Sequence, residues 1–115
     1  MSEHIQEEWR TTLQEYVVYG LLFKAIMKDS QVIQSCNSKL RYKQFLEKIS
    51  MIAEKQHHHF RATLGKMGVK VLRAETRGHH YWVEVKARGY LEEAIYSAEW
   101  LRSECEVRLE QLLST

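Results

Sequence analysis

VKVLRAETRGHHYWVEVKARG, residues 69–89, is the segment on which the fold turns. Val69 and Val71, then Arg77-Gly78, then Tyr81, Val83 and Val85 alternate as the arms of a hairpin would, because successive side chains of a strand point to opposite faces. The same residues also suit an extended crossover leading to a helix start near His79. The expectation is a non-helical excursion, holding either a short β-hairpin or that crossover. The sequence on both sides of it has helical periodicity.

Downstream, Leu91, Ile95, Ala98, Leu101, Cys105, Leu109 and Leu112 form a stripe between Tyr90 and Leu113, backed by Glu92, Arg102, Glu106 and Glu110. Upstream, Lys39 to Lys66 carries Leu40, Phe45, Ile49, Ile52, Ala53, Phe60, Leu64 and Met67 on one side, and Gly68 supplies the left-handed residue that closes a helix. Such a helix is about 40 Å long at 1.5 Å per residue. The first periodic segment, Glu3 to about Lys28, repeats Ile5, Trp9, Leu13, Tyr16, Gly20, Phe23 and Met27 at steps of three and four. Ser2 precedes it, and Glu3, Glu7 and Glu8 place negative charge against the unpaired amides of its first turns. Asp29 to Ser38 reads as a loop with one helical turn through Val32 and Ile33. The fold expected is therefore mainly α, a single domain over residues 1–115 made of three long helices in a bundle, with the excursion joining the last two.

Composition narrows the classes of function. The 115 residues are 44% hydrophobic and 28% charged, which suits one ordinary globular core and not a disordered chain. Proline is absent and glycine occurs five times, so little interrupts a long helix. The net charge of +2 arises from 17 basic and 15 acidic residues distributed along the chain, so a nucleic-acid partner is not implied. With only Cys36 and Cys105 and no signal peptide, two reduced thiols in a cytoplasmic protein are expected. The most apolar stretch, Tyr16 to Met27, is too short to span a membrane.

The residues most suggestive of chemistry are Glu54 and His57. Three apart on a helix, they project from neighbouring points of one face and can reach the same ion. Glu15 stands in the apolar run Leu13 to Ile26, where a carboxylate is less expected than on a solvated face. Antiparallel pairing of the first two helices would bring it toward Glu54 and His57, and Glu99 is the corresponding position on the last helix. Three carboxylates and one imidazole suit iron or manganese better than magnesium or a structural zinc. Set against this, a Glu on the flank of an amphipathic stripe is most often simply solvated.

Leu13-Gln14-Glu15-Tyr16, Ala53-Glu54-Lys55-Gln56-His57 and Leu91-Glu92-Glu93-Ala94-Ile95 leading to Glu99 resemble the ferritin-like superfamily, especially its rubrerythrin-type members. The resemblance implies a ferritin-like bundle with Glu15, Glu54, His57 and Glu99 as metal ligands. That family has a fourth helix with a second Glu-x-x-His pair, which this sequence lacks. The resemblance then leaves three outcomes: a single metal, a site shared between subunits, or a fold without the metal chemistry.

Other groupings carry less. His57, His58 and His59 point about 100° apart on a helix and cannot all bind one ion; His80 and Glu84 share a face whether helical or extended. Cys36 has no flanking motif, no phosphate-binding loop occurs, and no nucleophilic machinery is visible, so the enzyme question stays open. A winged-helix DNA-binding regulator, with Lys70, Arg73, Arg77, Lys86 and Arg88 on the wing, needs a helix-turn-helix within residues 39–66, where no breaker stands. The reading placed first is a non-enzymatic interaction module that forms a homodimer or binds a partner protein through Trp9, Trp82 and Trp100. The metal protein comes second and the DNA-binding regulator third.

Overall fold

The structure, a computed structural model, describes the backbone of residues 2–35 and 42–114 and the side chains of residues 8–29 and 44–114. The elements are α1 (Ser2–Ser35), α2 (Tyr42–Lys66), β1 (Val69–Arg77), β2 (His80–Ala87), β3 (Tyr90–Ser97) and α3 (Ala98–Leu113). The three strands make an antiparallel meander in the order β1-β2-β3. The fold is thus α+β, and the expected ferritin-like bundle of three long helices is overturned by this sheet. Of the two readings left open for residues 69–89 the hairpin is the one present, but Tyr90–Ser97, expected in a helix, forms a third strand beside it.

The misassignment has a simple physical cause. Leu91 and Ile95 are four apart, and four residues bring a side chain back to the same face in a helix and in a strand alike. The decisive residues are those between: Ala94 and Tyr96 are buried while Ile95 is exposed, a period of two. Two tight connections make the meander. Arg88 (φ 52°) and Gly89 (φ 90°) both lie in the left-handed region, as the type I′ turn between β2 and β3 demands, and Gly78 (φ 60°) supplies the first position of the β1–β2 turn. Between Val71 and Arg73 the register shifts, leaving Leu72 in a bulge.

One face of the sheet is apolar. Val69, Val83, Val85, Ala87, Ala94 and Tyr96 point inward and pack with Trp9, Leu13, Val17 and Val18 of α1, Leu64 of α2 and Leu101 of α3. Farther along α1, Leu22 and Ile26 meet Ile49 and Ala53 of α2, flanked by Cys105, Leu109 and Leu112 of α3. The long first helix is therefore the spine shared by both clusters. Its stripe is rotated from the expected one: Trp9, Leu13 and Gly20 are buried, but Val17, Leu22 and Ile26 replace Tyr16, Phe23 and Met27 at the centre. The helix also continues through Asp29 to Ser35, where a loop was expected, while residues 36–38 of that loop and Cys36 lie outside the described residues. Gly68 (φ 77°) ends α2 as anticipated, its amide donating to the Gly65 carbonyl at 3.1 Å.

Candidate functional site

Three places combine polar groups with a defined geometry, beginning with the crossing of α1 and α2. Gly20 has no side chain, and a Cβ there would lie 2.7 Å from His57 Cε1. The imidazole fills the space so opened, stacks on the Tyr16 ring with centroids 4.3 Å apart, and sets Nδ1 2.8 Å from the Tyr16 carbonyl oxygen. A carbonyl can only accept, so Nδ1 carries the proton and Nε2 is the free acceptor of the neutral ring. Burial pushes the His57 pKa down; the bond to Tyr16 opposes this, and His58, Lys24 and Arg61 reinforce it. His57 is thus a packed, neutral imidazole that fixes the approach of two helices.

The second place joins α1 to α3. Arg108, whose side chain is 11% exposed, donates from Nε to Glu15 Oε2 at 3.1 Å and from Nη2 to Glu15 Oε1, and from Nη1 to Glu104 Oε1 at 2.9 Å. The bond to Glu15 is the largest influence holding the guanidinium pKa above its ordinary value; desolvation opposes it, and Glu104 adds to it. A forked guanidinium–carboxylate contact of this kind occupies both oxygens of Glu15. The other two predicted ligands are elsewhere. Glu54 is half-buried on α2, and Glu99 is exposed in the first turn of α3, where its charge favours the helix N-terminus. Among the described residues no three of His, Cys, Asp and Glu are placed to share an ion, so Glu15, Glu54, His57 and Glu99 are not gathered into one set. Sequence reasoning placed His57 on the correct helix but missed Gly20 as its counterpart. A glycine inside Val17-Val18-Tyr19-Gly20-Leu21-Leu22 costs helix stability, and that cost was the available signal of a close approach.

The third place is the free edge of β3. Arg10 Nη1 donates to the Glu93 carbonyl at 3.2 Å, and its guanidinium lies 3.5 Å from the Glu92 carboxylate. Beside this contact runs a groove of about 560 Å³ lined by Arg10, Gln14, Ile95, Tyr96, Ser97 and Trp100. Burial pushes the Tyr96 hydroxyl up to about 12, and the Tyr96 ring stacks on Trp100 at 5.9 Å. On the outward face of the sheet, Trp82 of β2 stands directly opposite Ile95, which is 50% exposed. Of the three tryptophans, Trp9 belongs to the core, Trp82 is half-buried and Trp100 borders the groove.

Residues 4–115 match the family described as YhjD protein. The chain belongs to the YhjD family. No curated protein and no solved structure matches it. In this YhjD-family chain no described helix is long and apolar enough to cross a membrane. The YhjD-family fold seen here therefore combines an interior tied by His57 and Arg108 with a surface whose most pronounced apolar feature near an unpaired backbone is the β3 edge.

Proposed function

We propose that this YhjD-family chain is a non-enzymatic interaction module that self-associates through the outer edge of β3. The observation that carries this reading is the apolar row Trp82–Ile95, which runs to an edge strand and stops there with Ile95 exposed. The Glu93 carbonyl is met by Arg10 and not by β2, so it points off the sheet; alternate residues share that direction, which gives Ile95 an outward amide and carbonyl and Ser97 an outward amide. An antiparallel second copy centred on Ile95 places the two Ile95 side chains together, extends the row to Trp82 on both sides, and sets Glu93 against Ser97 of the second copy. No like charges face each other in that register. Strand addition at an edge is a common mode of recognition, and the groove beside β3 leaves room for it.

The opposite edge is built differently. β1 carries Lys70, Arg73 and Arg77 and is kinked by the Leu72 bulge, features that discourage pairing. The metal reading has less support, because Glu15 is engaged by Arg108. The winged-helix reading has less as well, because α2 runs unbroken from Tyr42 to Lys66 and provides no helix-turn-helix.

Sedimentation velocity over a concentration series tests the proposal. The expected result is a monomer–dimer equilibrium weakened about thirtyfold by Ile95→Lys, the scale of a hot-spot substitution. Met51→Lys, at an exposed position of α2, leaves the equilibrium unchanged. A chain that stays monomeric at every concentration, or a dimer indifferent to Ile95→Lys, overturns it.

A further inference from the structure

Basic side chains that look dispersed along the chain are collected at one end of the sheet, by the β2–β3 turn and the α2–β1 junction. No acidic residue occurs between Glu54 and Glu75, nor between Glu84 and Glu92. The fold brings these two acid-free segments together. The Arg88 amide donates to the Gly68 carbonyl at 2.9 Å, so the β2–β3 turn lies against the α2–β1 junction with Lys66. One row in, Lys70 stands directly opposite Lys86, and Lys86 opposite Leu91. Among the described residues, none of Lys66, Lys70, Lys86 and Arg88 forms an ion pair.

Two features of this end carry a local cost. Like charges directly opposite in neighbouring strands repel, and Lys70 faces Lys86. Arg88 adopts φ 52° in a turn position that asparagine, aspartate or glycine fills more easily. At the same tip two large apolar side chains project into solvent, Tyr90 at 74% and Leu91 at 69% exposure. The tip is a two-residue turn whose exposed side chains can meet a flat surface.

We propose that the β2–β3 turn docks on anionic lipid bilayers, with Lys66, Lys70, Lys86 and Arg88 against the headgroup phosphates and Tyr90 and Leu91 in the interfacial region. Cations flanking exposed apolar residues are the pairing that such surfaces select: each basic side chain contributes electrostatic attraction, and the apolar residues make the attachment outlast moderate salt. The occupancy of the lysine pair by phosphates also removes the repulsion across β1 and β2. Of β3 this docking uses only Tyr90 and Leu91, at the end of the strand away from Ile95, so it goes beyond the self-association proposed above.

Co-flotation of the full chain with vesicles tests it, using phosphatidylcholine alone and an equimolar mixture of phosphatidylcholine and phosphatidylglycerol. Binding to the mixed vesicles and not to phosphatidylcholine is expected. Lys70→Gln with Lys86→Gln should weaken it about 25-fold, at about fivefold per cation removed, and should leave thermal stability equal or higher because the repelling pair is gone. Tyr90→Ser with Leu91→Ser should abolish the part of the binding that survives added salt. A Tyr90→Trp variant should show a blue shift of its emission on the mixed vesicles. Absence of binding to mixed vesicles at low salt overturns the proposal. So does binding insensitive to either double substitution, or retention on duplex DNA in place of vesicles.

Discussion

At the scale of single residues, the crossing at Gly20 is the most constrained point in the molecule. A methyl group there would meet the His57 ring at 2.7 Å, with the ring held by its bond to the Tyr16 carbonyl. Gly20→Ala should therefore destabilise the fold by about 1–3 kcal/mol despite alanine's better helix propensity, as overpacking does. Adding His57→Ala should restore part of the loss, and melting of the natural chain, both single variants and the double variant reads the coupling. The same imidazole predicts a pH effect. Burial lowers its pKa in the folded protein below the ordinary 6.5, so the unfolded chain binds the proton more readily. The stability contributed by the neutral ring is complete above that value and is lost as pH falls through the lowered one. Urea midpoints measured between about pH 7 and pH 5 should decline, and His57→Gln should flatten that decline. Of the four residues picked out in the sequence as ligands, Glu15 stands inside an apolar run. Its partner proved to be Arg108, 93 positions away, and no local spacing announces a contact of that separation.

At the scale of elements, the start of α3 separates what local sequence encodes from what packing decides. Ser97 accepts from the Trp100 amide at 2.9 Å, and Ala98 donates to the His79 carbonyl at 2.8 Å, so the helix begins with its first amides already satisfied. Ser97→Ala should cost about 1 kcal/mol and lower the melting temperature by several degrees, whereas Ser97→Asp should behave like the natural residue. The cap was legible in Ser97-Ala98-Glu99, yet the apolar pair Leu91 and Ile95 pulled the helix start back to Tyr90. Both periods fit that pair, and only burial of Ala94 and Tyr96 against Trp9 and Leu13 breaks the tie. The β1–β2 hairpin was legible because Val83 and Val85 alternate and Gly78 marks the turn. The second turn was not, since Arg88-Gly89 lacks the asparagine or aspartate that usually precedes glycine in a type I′ connection.

At the scale of the whole molecule, α1 sets the dimensions. Its 34 residues make a rod of about 51 Å at 1.5 Å per residue, close to the longest extent of 55 Å. The sheet covers one part of that rod and α2 with α3 the other, which leaves the β3 edge unpartnered at the flank. The proposed self-association there would make the folded state concentration-dependent, so the melting temperature should climb with protein concentration and stop doing so in Ile95→Lys. The meander described above also bears on how the chain reaches this state. Every strand lies beside its sequence neighbour, α1 returns directly along α2, and only the docking of α3 and the sheet onto α1 spans long loops. Low contact order of this kind goes with rapid assembly, and without a single proline the chain has no isomerisation to wait for. Two locally formed units, the helical hairpin of α1 with α2 and the three-stranded meander, can each be made before they dock.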